Sequence, residues 1–176
     1  MKETNHQTST EIHHPDLCDA EKLAYIPSGL VMSNLTIEPE SQDYGACEFD
    51  LNHRHIKLRV AKITPKKVGQ FVTLWKRKNN GPIIPYELED PIDLFVISVR
   101  TAEHFGQFVF PKKILSEKGI LSSKEKKGKL AIRVYPPWDT PNNKQAEKTQ
   151  AWQLPYFFEI DSQRDPDTAR IQKLFL

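Results

Sequence analysis

Cysteine is scarce in this chain: Cys18 and Cys47 are the only two in 176 residues, and they stand in no metal-ligand spacing. That argues against a disulfide framework or a zinc ribbon and reads as two reduced thiols in a cytoplasmic protein. No stretch approaches the roughly 20 apolar residues that cross a bilayer, so no membrane contact is expected. The N-terminal KETNHQTSTEIHH lacks the apolar run of a secretory signal. Glycine is also sparse, with seven against thirteen prolines, which fits many short elements closed by stiff turns. A Walker-type phosphate loop, an HExxH pair and a GxSxG elbow are all missing. The six histidines show no ligand spacing. Neither a metal site nor a cofactor is expected.

The most informative absence is of acid. From Leu51 to Tyr86 there is no Asp or Glu, while nine Lys and Arg fall in that window. Residues 1–50 carry a net −8 and residues 87–176 a net +1, so a chain of net +2 holds one concentrated basic segment. Such asymmetry bears on partners more than the total does. The bland account of a charge run is a solvated face, since Lys is common on exposed loops.

What is present reads as one α/β domain, residues 15–176, after a polar, disordered tail of residues 1–14. A helix is expected from Pro15 to about Tyr25, ended by Pro27 and Gly29. Gly45 to Ile63 reads as a hairpin in which Cys47, Phe49 and Leu51 share a face with Ile56, Leu58 and Val60. A turn centred between His53 and Arg54 sets Asp50 opposite Lys57 and Glu48 opposite Arg59. The same alternation puts Lys62 at the end of the core-facing row. Residues 59–77 form a strand, a basic turn and a second strand. Ile92 to Val99 is a central strand buried on both faces, with Phe105 to Phe110 beside it. Leu130 to Tyr135 and Tyr156 to Ile160 are further strands. Helices are expected from Thr140 to Gln153 and after Asp165-Pro166, where Ala169, Leu174 and Phe175 dock. The expected fold is a mixed, mainly antiparallel sheet flanked by helices.

Four segments in this order, RVAKITPKKVGQFVTLWKR, GQFVFPKKIL, RVYPPWD and KQAEKTQAWQ, resemble the MepB family of bacterial proteins over roughly residues 17 to 160. The resemblance implies a restriction-endonuclease-like core of the PD-(D/E)XK type and nucleic-acid binding without an established reaction. Those nucleases set an Asp at a strand end, then an acid and a Lys two apart, to hold Mg²⁺ and an attacking water. Lys62 suits the Lys, but Val60 stands where an acid is needed. Glu48 or Asp50 could fill the first acidic position, yet the hairpin turns both away from Lys62. A single carboxylate holds Mg²⁺ weakly. Glu48, Asp50 and Lys62 are therefore candidates for a degenerate site only, and no catalytic residue is assigned.

Binding has wider support. Phosphates need cations along a track, and unpaired bases need aromatic platforms. Lys66, Lys67, Trp75, Lys76 and Arg77 supply both, with Arg59 and Lys62 before them. Lys144, Lys148 and Trp152 fall on one helical face, and Arg133, Tyr135 and Trp138 cluster at the end of one strand. Core packing is the competing account of each Trp. The sequence thus points to a protein that binds single-stranded DNA or RNA without cleaving it, with no obligate protein partner. Its alternatives are a metal-dependent nuclease and a regulatory protein that takes an anionic ligand or a protein.

Overall fold

A computed structural model describes residues 13–176. Residues 1–12 of the expected tail lie outside the described residues. His14 belongs to the domain: its Nδ1 accepts the Asp16 N–H at 3.1 Å and caps the first helix. That helix, α1 (Pro15–Ala20), runs on through a wider turn, Glu21–Tyr25, and a tight one, Ile26–Ser28. It stops at Gly29, whose φ of 72° closes the end in a left-handed conformation.

Six strands form the main sheet. In spatial order they are β1 (Met32–Ile37), β2 (Cys47–Leu51), β3 (Arg54–Val60), β8 (Leu94–Arg100), β9 (Phe105–Pro111) and β11 (Phe157–Glu159). Only β3 and β8 run parallel; the other neighbours are antiparallel. β8 is buried from Leu94 to Val99, as its unbroken apolar run requires of a strand covered on both faces. On one face Leu94 and Val96 meet α1 and the last helix, α4 (Thr168–Phe175), through Leu17, Tyr25, Ile171 and Phe175. On the other, Phe95, Ile97 and Val99 meet a second sheet.

That second sheet has three strands, in the order β10 (Ala131–Val134), β5 (Lys67–Thr73), β4 (Lys62–Thr64). A ribbon of β6 (Trp75–Arg77) and β7 (Ile83–Pro85) stands apart. Helices α2 (Lys112–Glu117) and α3 (Lys144–Gln153) complete the chain. The fold is the expected α/β arrangement of a mixed, mainly antiparallel sheet with helices.

Three details differ from the sequence reading. Asn52 takes φ 53°, so the β2–β3 turn needs only Asn52 and His53, and Leu51 pairs with Arg54. Glu48 therefore faces Lys57, and Asp50 faces His55. The faces survive because the register moved by a whole period of two. The strand also breaks at Ala61, whose N–H is bonded to the Ser98 carbonyl. Lys62 then starts the second sheet and is exposed, not part of a core-facing row. Finally α3 starts three residues late: the Asn143 side chain, not that of Thr140, accepts from the Ala146 N–H at 2.9 Å.

A candidate nucleic-acid interface

The outer face of the second sheet is built by period-two alternation in β5. Val72 is buried against the main sheet, while Gly69, Phe71 and Thr73 point the other way. Phe71 pairs with Lys62 on one side and Arg133 on the other, so these three form one row across the sheet. Gly69, with φ 80°, lies under the Tyr135 ring; a Cβ there would come within 2.6 Å of it. Arg133 is held by Thr64 Oγ1 at 2.8 Å and the Gly69 carbonyl at 3.2 Å. Its guanidinium lies 5.8 Å from the Phe71 ring centre.

α3 docks beside β10 through one buried side chain. Gln153 accepts from the Tyr135 N–H and donates to the Arg133 carbonyl, both at 2.9 Å, completing the strand edge. This sets Trp152 half-buried against Phe110, ring centres 5.4 Å apart, with Lys148 one turn earlier and exposed. The Lys118 ammonium lies 5.8 Å from the Trp152 ring centre. A cation over a ring contributes about 0.5–1 kcal/mol at an exposed site and about 2 kcal/mol when desolvated, and this pair on a half-buried ring falls between the two.

Sheet and helix enclose a cavity of about 570 Å³ lined by Lys67, Lys118, Lys129, Arg133 and Lys148 with Phe71, Tyr135 and Trp152. Among the described residues no Asp or Glu lines it. Among the described residues, none of these five cations forms an ion pair. Of the residues expected from sequence, Lys67, Arg133, Lys148 and Trp152 meet here, with Lys62 beyond Phe71. Lys66 is exposed at the turn tip, and Lys144 is exposed one helical turn before Lys148. Tyr135, expected beside Arg133, also lines the cavity, whereas Phe71, Lys118 and Lys129 were missed. The only signal was the basic run 118–129, whose distance from β5 along the chain hid its place.

The rest of the expected set lies elsewhere. Arg59 is 1% exposed, and its charge is already met inside the fold. It bonds Glu38 at 2.5 Å and the Tyr86 hydroxyl at 2.9 Å. Lys76 is bound by Glu87 at 2.7 Å and Asp90 at 2.5 Å. Burial pulls its ammonium down, and those two carboxylates reverse this to hold it above its ordinary value. Arg77 bonds Glu40 at 2.7 Å and lies 5.6 Å from the Trp75 ring centre. Trp138 stacks on His104 at 4.9 Å and packs edge-on to Phe157.

Trp75, Lys76, Arg77 and Arg59 border a second cavity, of about 420 Å³, where acids and bases are paired. At its edge Lys57 bridges two carboxylates, Glu38 and Glu48, at 2.5 Å each. Burial pushes the Glu48 carboxyl up, but Lys57 and then His55 bring it below its usual range. Asp50 is taken by Asn34 at 2.7 Å and His55 at 3.0 Å. Glu48, Asp50 and Lys62 therefore do not converge. Among the described residues no group of three or more His, Cys, Asp or Glu is placed to hold a metal ion. Burial pushes the Cys47 thiol up to about 12, which leaves it unreactive near neutral pH. Among the described residues no helix is long and apolar enough to cross a membrane.

No curated protein matches the chain. Among solved structures, a crystal structure of MepB matches at 44% identity and a TM-score of 0.70, covering 73% of this chain and 86% of that one. A bacterial homing endonuclease matches at 18% identity and a TM-score of 0.43, covering 83% of this chain and 92% of that one. The MepB-like family matches residues 38–159. On this span and this identity, the chain belongs to the MepB-like family.

Proposed function

We propose that the protein binds single-stranded DNA or RNA, without cleaving it, in the cavity between the second sheet and α3. The observation that carries this reading is the lining: five cations, three aromatic rings and no carboxylate. Unpaired cations attract phosphate and release counterions from it. Stacking of a base on an aromatic ring adds about 1–3 kcal/mol and needs a base face free of a duplex. Two thiols without a disulfide agree with a cytoplasmic setting. The test is fluorescence anisotropy with labelled single- and double-stranded oligonucleotides over a salt series. Single strands should bind more tightly, with affinity falling steeply as salt rises. Lys129→Glu with Lys148→Glu should abolish binding while leaving the melting temperature within a few degrees. Salt-independent binding, or an intact affinity in the double variant, would remove this cavity from the function.

A second reading has one observation in its favour. Glu38 and Glu48 bring two carboxylates to one lysine, Lys57, as the metal-dependent nuclease alternative needs. Glu38 comes from a loop that the nuclease pattern did not include. Incubation with DNA or RNA and Mg²⁺ or Mn²⁺ separates the two readings.

A further inference from the structure

We infer that a bound single strand crosses the second sheet from Tyr44 over Phe71 to Trp152, and that Lys62 and Lys118 leave the rings they cover to take its phosphates. This rests on the nucleic-acid reading above and extends its site beyond the cavity to β4 and to Tyr44.

Three cation–aromatic pairs lie side by side on this face. Lys62 sits 4.3 Å from the Tyr44 ring centre, Arg133 5.8 Å from that of Phe71, and Lys118 5.8 Å from that of Trp152. Tyr44 and Phe71 meet edge-on at 6.4 Å, so the first two pairs are continuous. Phe71 and Trp152 line one cavity, which joins the second pair to the third. The direction follows from the strands. Across them run Lys62, Phe71 and Arg133, whereas along β5 Phe71 is flanked on its own face by Thr73, which offers neither ring nor charge, and by Gly69, already covered by the Tyr135 ring.

The three cations are held differently. Arg133 is tied to Thr64 and two carbonyls and stays where it is. Lys62 and Lys118 are exposed, and among the described residues neither ammonium has a hydrogen-bond partner or a carboxylate. Both rings are half-buried, and a lone cation over a ring is a weak contact. A base stacking on the same ring is a stronger one, and its phosphate gives the displaced ammonium a charged acceptor. The exchange therefore improves both contacts at each end, while Arg133 and Phe71 form a fixed middle. Adjacent strands lie about 4.8 Å apart, so β4 to β10 spans about 10 Å.

Anisotropy with thymidine oligonucleotides of two and twelve residues tests the path. Lys62→Met and Tyr44→Leu should weaken the twelve-residue strand about 3- to 10-fold and leave the two-residue one unchanged. Lys62→Met should also flatten the salt slope for the long strand by about 0.7, one phosphate's share. Lys118→Met should weaken both lengths. Wild-type affinity for the long strand in Lys62→Met and Tyr44→Leu would overturn the path across β4. Equal losses at both lengths would overturn it too, because Tyr44 would then act through the fold. Failure of the wild type to bind either strand would instead remove the underlying nucleic-acid reading.

Discussion

Arg59 and Lys57 are two residues apart on one face of a central strand, and both are buried. Two cations out of water cost several kcal/mol each unless carboxylates meet them. Glu38 meets both, one oxygen on Lys57 and the other on Arg59, at 2.5 Å each. Glu38→Ala should therefore destabilise the fold by about 3–5 kcal/mol, as expected when a buried pair loses one partner. Glu40→Ala, which breaks only the exposed pair with Arg77, should cost under about 1 kcal/mol. Urea denaturation of both variants checks the contrast, and equal effects would contradict it. Glu48 adds a pH dependence. Its folded carboxyl lies below the ordinary value of 4.5, so its contribution is complete above that pH and is lost as pH falls through the lower folded value. Stability of the wild type should drop more steeply below about pH 4.5 than that of Glu48→Gln. The hairpin pattern brought Glu48 to the cations of β3, two residues out of register, but not Glu38. Glu38 lies 19 residues from Lys57, and no local pattern connects them.

At the scale of elements, alternation and turn residues carried most of the information. The faces of β2 and β3 were readable because period two is strict, but their register was not, because it depended on which two residues turn. Asn52 at φ 53° is the residue that decided it. The break at Ala61 was hidden for a related reason: the alternation of Val60, Lys62 and Thr64 continues unchanged while the chain moves from one sheet to the next. That move carries Lys62 out to the face of β4 and β5, where the strand path is proposed. The basic turn between these strands has its own prediction. Lys67 lines the cavity and Lys66 is exposed at the tip, so Lys66→Ala with Lys67→Ala should weaken binding about equally for unrelated sequences. The slope of log K against log salt should flatten by about 0.7 for each phosphate no longer neutralised. An unchanged slope in a salt series would separate this turn from the interface.

The whole molecule resolves the charge asymmetry of the chain by pairing. The acid-rich first 50 residues supply Glu38, Glu40 and Glu48 to Arg59, Arg77 and Lys57, and Asp16 and Asp19 to Arg100. Five of the cations left without carboxylates gather around the second sheet and α3. Acid and free base thus sit at different cavities, and this separation governs the expectation about catalysis. The proposed binding face offers a phosphodiester cations and rings but, among the described residues, no carboxylate to hold a metal. Lys62 stands over Tyr44, while Glu48 and Asp50 hold Lys57 and His55. No cleavage of single- or double-stranded DNA or RNA is therefore expected with Mg²⁺ or Mn²⁺, and Lys62→Ala should change affinity alone. The check is incubation of the wild type, Lys62→Ala, Glu38→Gln and Glu48→Gln with each substrate and either metal, followed by gel analysis. Cleavage by the wild type that survives Lys62→Ala but is abolished in both glutamine variants would reverse the expectation. It would place the chemistry at Lys57, where Glu38 and Glu48 already meet, and leave the basic face to hold the strand that is cut.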